Sequence, residues 1–325
     1  MLTISKVKDI IGITERELIK LTDRSKFIKN NKFFNVLTHE LTPIGNFNTP
    51  TIQELCNTTL LHGYGPEICY NNKIRNNNNI VNIQVQQFTD IANLQGQLKT
   101  SDKALVQVQS KFNCLQIPDL DSAYDTVIDN LGQNYESSNS AMFSSLAASL
   151  YRQYFNDQKQ INLLSEVGKY FSTPINGNII LNGREENVFK IDHVYPKIRI
   201  GLHTDCAILY DRYKIFNPPY NVVDQVFSSS INLNHYGKHT TKYNQNRLSQ
   251  TLLRAAYEGV YLAAILRKRK QLYLTLIGFN NYNNDLKIIV NEIKRAHHKY
   301  IQYSELEKVV IYEQNTNFKL IDYLS

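Results

Sequence analysis

The chain has 325 residues, 42% hydrophobic and 20% charged, with 36 basic against 29 acidic side chains and a formal net charge of +7. With 21 Tyr and 14 Phe beside so modest a charged fraction, disorder along the whole chain is excluded. No stretch approaches the roughly 18 consecutive apolar residues of a membrane span, and Met1 to Lys8 lack the apolar run of a secretory signal, so a cytosolic protein is expected, in a host cytosol if the chain is an effector or viral protein.

Cys56, Cys69, Cys114 and Cys206 are widely spread and form neither a CxxC pair nor a zinc-type cluster with histidine. They are expected to be reduced, buried thiols; neither a metal nor a cofactor is expected. A pI near 9.0 invites a nucleic-acid partner, although +7 over this length is a modest density.

In chain order, Thr14 with Glu17 forms a capping box that predicts a short helix through Leu21. Thr49 and Pro50 predict the start of a second, reaching Leu61. The asparagine-rich run Asn71 to Asn79 is too polar to bury, and a boundary is placed there, between a mostly helical extension over 1–79 and an α/β domain over 80–325. Val81, Ile83 and Val85 alternate with polar residues as a strand does, and Ala104 to Val108 predicts a second. Helices are expected over Ser140 to Phe155 and Gln158 to Phe171. Short strands follow at Asn178 to Leu181, Val188 to Ile191 and Ile198 to His203, with turn signals at Asn176-Gly177 and Asn182-Gly183. Val222 to Phe227 reads as a buried strand.

The strongest pattern lies in the last third. Leu248, Leu252, Leu253, Ala256, Val260 and Ala263 recur at helical spacing and predict a helix from Asn246 to Leu266. A strand over Leu272 to Ile277, a loop over Gly278 to Asn284, a helix over Leu286 to His297 and a strand over Lys308 to Tyr312 complete the chain. Strand, Gly/Asn loop and helix in that order predict the βα unit of a sheet covered on both faces. Amides at such a junction, with glycine and asparagine tolerating left-handed backbone, can form an anion-binding nest. From the spacing alone, a plain βα turn is the commoner reading.

Leu274 to Asn284, together with Leu252-Leu253-Arg254-Ala255-Ala256-Tyr257-Glu258, resemble the C-terminal half of the macrodomain superfamily, and within it the extended ADP-ribosylhydrolase-like branch of the MavL type. Other landmarks keep the same order. Phe88-Thr89-Asp90-Ile91 resembles its Gly-Asp-Ile turn, Gln107 to Cys114 its Gln-Val-Ala-Ser-Gln-Phe-Asn-Cys strand, and Ser149 to Phe155 its Thr-Ile-Tyr-Arg-Asn-Tyr-Phe helix end. Ile200 to Asp205 resembles Ile-Gly-Val-His-x-Asp and Val223 to Ser228 resembles Val-Ser-Gln-Val-Phe-Cys, so the match is collinear from Val81 onward.

The resemblance implies an α/β macrodomain-like mixed sheet sandwiched between helices, binding ADP-ribose and hydrolysing it from modified protein. It implies that Asp90, with Ile91, receives the adenine amino group and that Asn113 lies near the distal ribose. Gly278, Phe279, Asn280, Asn281, Tyr282, Asn283 and Asn284 would hold the diphosphate, with the Tyr282 ring against the ribose. Asp205, with His203 beside it, would activate water or bond a ribose hydroxyl, and Glu258 would add a second carboxylate to the same cleft. Such hydrolysis needs a water held at the anomeric carbon, a carboxylate to orient it and fixed dipoles for the diphosphate.

Each residue also has a plainer reading: Asp90 as a helix cap, Asn113 as a partner of nearby backbone, Asp205 as a turn residue, His203 as a structural imidazole, Glu258 as the solvated side of its helix. The chain departs from the family at Phe279, Asn280 and Asn283, where glycines are usual, and at Ser138-Asn139-Ser140-Ala141-Met142, which replaces a Gly-Pro-Ala-Cys-Ala segment. Two other functions therefore stand beside the hydrolase. One is a non-catalytic reader of ADP-ribose or a related nucleotide. The other is a basic nucleic-acid-associated module using Arg267 to Lys270 and Lys294 to Lys299.

Overall fold

A computed structural model describes residues 6–63, 81–115, 127–129, 131, 137–156, 161–168, 177–179, 191–211, 213–236, 241–280, 282–313 and 320. The first part of the chain forms α1 (Lys6–Ile11), α2 (Glu15–Ile19), β1 (Ile28–Lys29), β2 (Lys32–Phe34), β3 (Leu41–Pro43), β4 (Asn46–Asn48) and α3 (Ile52–Leu61). Both early helices open on capping boxes, Thr14 with Glu17 and Thr51 with Glu54. The segment expected to be mostly helical thus also carries four strands, each of two or three residues and too short for a period-2 signal. Strands β1, β2 and β3 make a small antiparallel sheet.

The remainder runs β5 (Ile83–Gln87), α4 (Ile91–Gln97), β6 (Ala104–Gln109), α5 (Ser137–Ser144), α6 (Leu146–Tyr154), α7 (Ile191–Val194), β7 (Gly201–Ala207) and β8 (Val222–Ser228). Then come α8 (Leu233–Tyr236), α9 (Lys242–Leu266), β9 (Gln271–Leu274), α10 (Leu286–Tyr300) and β10 (Lys308–Glu313). Seven strands form one mixed sheet in the order β4-β7-β8-β6-β9-β10-β5. From β8 to β5 they are parallel, while β7 runs antiparallel to β8 and β4 antiparallel to β7.

Helices cover both faces. Gln107 of β6 reaches the Ala256 carbonyl of α9 at 3.3 Å, whereas Gln225 of β8 bonds Ser145, between α5 and α6, at 2.9 Å. Gln107 pairs with Val226, so these two glutamines point to opposite sides of the pleat. The double cover explains why β6 and β8 are buried along nearly their whole length, the polar Gln107, Asp224 and Gln225 included. The first part of the chain is tied in at a buried carboxylate: Glu15 of α2 accepts the N–H groups of Val127, Ile128 and Asp129 at 2.8–2.9 Å and the Tyr154 hydroxyl at 2.5 Å.

Several expectations change. The helix expected over Gln158 to Phe171 is a series of turns throughout its described part, 161–168. Asn162 Oδ1 takes the Leu164 N–H, while the Leu163 N–H donates to the Phe112 carbonyl and the Leu163 carbonyl accepts the Arg199 N–H, so both backbone groups are spent outside a helix. The helix expected over Ser140 to Phe155 is two, broken at Ser145, whose ψ is 55°. Ile191 opens a helix instead of closing a strand, and the turn signal at Asn182-Gly183 and the boundary run Asn71 to Asn79 lie outside the described residues. Cys56, Cys114 and Cys206 are buried free thiols, and burial pushes Cys114 up to about 12, which keeps it protonated; Cys69 lies outside the described residues. Among the described residues no helix is long and apolar enough to cross a membrane.

Candidate functional site

The segments after the parallel strands, 88–90, 110–115, 229–230 and 275–284, converge on one edge of the sheet, where α/β folds place their ligands. Asp90 follows β5 and is the N-cap of α4, its Oδ1 accepting the Asn93 N–H at 2.8 Å. The cap reading and the ligand reading are compatible, because Oδ2 is buried with no partner. Ile91 opens α4 with its side chain in the core. Asn113 follows β6. Its Oδ1 accepts the Leu115 N–H at 3.1 Å while Nδ2, also buried, has no partner. Ser228 Oγ and Asn139 Oδ1 are further buried atoms without partners, the first at the end of β8 and the second beside Ser140, which bonds Asp90. Buried polar atoms left unpaired are costly, and four of those among the described residues lie along this edge.

The loop after β9 is more closed than an open nest. Gly278 has a φ of +76°, and a Cβ there would overlap Ser230 Oγ, so glycine is required. Its N–H is taken by Gln109 Oε1 at 2.9 Å, the Phe279 N–H by the Leu276 carbonyl at 3.2 Å, and the Asn284 N–H by the Gly278 carbonyl at 2.9 Å. These three amides, expected to face a phosphate, are spent within the fold.

Asn284 staples the loop instead of lining it: its Nδ2 donates to the Ile231 carbonyl at 2.8 Å, the Gly278 carbonyl at 3.2 Å and Ser230 Oγ at 3.3 Å, and its Oδ1 accepts from Ser249. Phe279 is half-buried against the core and Tyr282 is buried, its carbonyl accepting the Leu233 N–H. Asn280 and Asn283 are exposed, and Asn283 supplies a φ of +55° where glycine is usual. Asn281 lies outside the described residues.

The residues expected to carry chemistry are not brought to this edge. Asp205 sits on a bulge of β7 with a φ of +56°, opposite Val223 and Asp224, at the start of the parallel strands and so at the far end of the sheet. There it bonds Arg267 at 2.9 Å, beside a fully buried Asp224 that accepts from Arg267 at 2.9 Å, Arg269 at 2.7 Å and the Asp205 N–H at 2.8 Å. His203 is enclosed between Arg152, which donates to Nδ1 at 2.9 Å, and the Ile44 carbonyl, which accepts from Nε2 at 3.0 Å. Burial, and then the Arg152 charge, hold it well below the usual imidazole range, so it is a neutral structural group.

Glu258 faces the outer helical layer. It accepts from Tyr300 at 2.5 Å, Tyr195 at 2.6 Å, Lys299 at 2.8 Å and Arg254 at 2.9 Å. Burial pushes its carboxyl up, but the Lys299 and Arg254 charges outweigh burial and hold it at about 2. A carboxylate so acidic and so fully bonded is a poor base. Asp90, Asp205 and Glu258 therefore occupy three separate places.

The two basic clusters are largely used internally. Arg267 and Arg269 serve Asp224, Lys270 pairs with Glu307, and Lys299 and Arg295 flank Glu258. His297 accepts from Tyr261 at Nδ1 and donates from Nε2 to the Val81 carbonyl at 2.8 Å. Ser140, Gln109, Ser230 and Ser249, which hold Asp90 and the loop, carry no sequence signal, since their partners are 35 to 169 positions away. Among the described residues no group of three or more His, Cys, Asp or Glu could hold a metal.

No protein-family model and no curated protein matches the chain. Among solved structures it is similar to poly(ADP-ribose) glycohydrolase from Thermomonospora curvata, at 13% identity over 95% of this chain and 96% of that one, with a TM-score of 0.50. It is also similar to poly(ADP-ribose) glycohydrolase from Deinococcus radiodurans in complex with ADP-ribose, at 11% identity over 86% of this chain and 92% of that one, with a TM-score of 0.47. The first likeness establishes the fold: a macrodomain-like mixed sheet between helical layers.

Proposed function

We propose that this chain binds ADP-ribose along the C-terminal edge of its sheet and hydrolyses it from a modified protein. One observation carries the binding: the unpaired Asp90 Oδ2 after β5 and the unpaired Asn113 Nδ2 after β6, with the 275–284 loop between them. Asp90 and Asn113 are three strand spacings apart, about 14 Å, with the loop about two spacings from Asp90 and one from Asn113. ADP-ribose has the matching order and asymmetry. An amino-bearing base and a ribose lie on one side of its pyrophosphate, and a single ribose on the other. An acceptor at the base end and a donor at the sugar end complement it.

Hydrolysis is supported by the fold, which the chain shares with an enzyme named for cleaving poly(ADP-ribose). Kinship with the extended ADP-ribosylhydrolase-like branch is part of the same proposal and rests on the Leu252 to Glu258 and Leu274 to Asn284 motifs. The site is assigned to residues 80–325, with 1–79 as a supporting extension.

A non-catalytic reader is favoured by a different observation, the placing of Asp205 and Glu258 away from the edge, where neither can act on a water at the anomeric carbon. Calorimetry with ADP-ribose tests the binding, and Asp90→Ala is expected to weaken it by more than about tenfold. No heat at millimolar ligand removes both readings. Release of ADP-ribose from Arg-, Glu- or Ser-linked protein separates them, since a chain that binds but releases none is a reader.

A further inference from the structure

We propose that Ser140 is a positioning residue that sets which base the site accepts; the inference rests on the ADP-ribose reading above. The two oxygens of Asp90, a residue only 1% exposed, are not equivalent. Oδ1 accepts the Asn93 N–H at 2.8 Å and the Ser140 hydroxyl at 3.1 Å, while Oδ2 has no partner. Ser140 Oγ in turn accepts the Ala92 N–H at 2.9 Å. A hydroxyl has one proton to give, and here the amide at its lone pair turns that proton onto Asp90. The carboxylate is pinned at one oxygen from two directions and presents the other as a fixed acceptor.

A fixed, buried acceptor selects a base with an exocyclic amino group. A base with a carbonyl at that position would set two lone pairs against each other with no water to separate them. Ser140 belongs to the Ser138 to Met142 segment, in which this chain departs from the family it resembles. Its removal should leave the fold in place. Helix α5 is also docked through Ser144, which bonds Gln95, and its C-terminal neighbour Ser145 bonds Gln225 at 3.1 Å.

The test is calorimetry of the full chain with ADP-ribose and with its hypoxanthine counterpart, in which a carbonyl replaces the amino group. The native chain is expected to prefer ADP-ribose by about a hundredfold. Ser140→Ala is expected to weaken ADP-ribose about tenfold and the hypoxanthine ligand little, so that the preference shrinks about tenfold. Ser140→Cys, nearly isosteric but a weak donor, should do the same, and serves if the alanine variant does not fold. An unchanged preference in either folded variant overturns the inference, as does a native chain that binds both ligands equally. A native chain that binds neither overturns the nucleotide reading, and this inference with it.

Discussion

Replacing Glu258 by glutamine is expected to cost stability and leave ligand affinity intact. The carboxylate is enclosed by Tyr195, Tyr300, Lys299 and Arg254. Held at about 2 against an ordinary 4.5, it stays ionised in the folded chain across an acid range in which the unfolded chain has taken up a proton. That difference is worth about 3 kcal/mol at neutral pH. Because the folded value is the lower one, the contribution is complete above 4.5 and drains away as the pH falls toward 2. Glutamine keeps the shape but leaves Lys299 and Arg254 facing a neutral amide, so E258Q should lose about 3 kcal/mol at pH 7. Urea unfolding of both chains at pH 7 and pH 3.5 is the assay, since titrations common to the two cancel. The gap between them should narrow by about 1.4 kcal/mol on acidification. A gap that does not change with pH, or one below about 1 kcal/mol at pH 7, refutes the reasoning. A fall in ADP-ribose affinity in the folded variant would return Glu258 to the cleft.

Four further outcomes are expected. Asp224→Ala strands Arg267 and Arg269 and should destabilise by about 3 kcal/mol or more in urea. Asp205→Ala, at a half-exposed pair, should cost less than about 1 kcal/mol; any ADP-ribose release should be unaffected, and its collapse would make Asp205 catalytic after all. Burial holds His297 at about 4 against 6.5, so stability should fall by up to about 3 kcal/mol as the pH drops from 6.5 through 4. His297→Gln should abolish that slope in denaturant titrations. Gly278→Ala, at a φ of +76° and in overlap with Ser230 Oγ, should cost about 2–4 kcal/mol and weaken ADP-ribose binding by calorimetry.

What could be read from the sequence was local. The capping box at Thr14 announces its helix within four residues, Thr49-Pro50 announces α3 two residues ahead of its actual cap, Thr51, and the apolar stripe of Leu248 to Ala263 announces α9. Asp90 reads as cap or as ligand residue because its two oxygens differ: Oδ1 caps α4, while Oδ2 is buried with no partner. Asn284 read as a ligand contact because a Gly/Asn loop has the composition of a nest, whereas its staple depends on Ser230, Ile231 and Ser249, remote in the chain. Asp205 lies apart from that loop for a topological reason. Strand β7 runs against its neighbour β8, so a residue late in β7 is carried away from the ligand edge. Glu258 lies one step along α9 from Tyr257, whose hydroxyl reaches the Thr275 carbonyl beneath the loop. About 100° of helical rotation separates the two side chains, enough to turn the carboxylate outward.

The place of β5 at the sheet margin bears on how the molecule is made. Among the described residues, Ile83 to Gln87 find their only strand partner in Val309 to Glu313, so the first parallel strand to leave the ribosome waits for the last. So distant a pairing carries a heavy entropic toll and slows closure. The Asp90 end of that sheet edge is therefore completed last, and a nascent chain halted before Lys308 would already possess the Asn113 end without its counterpart.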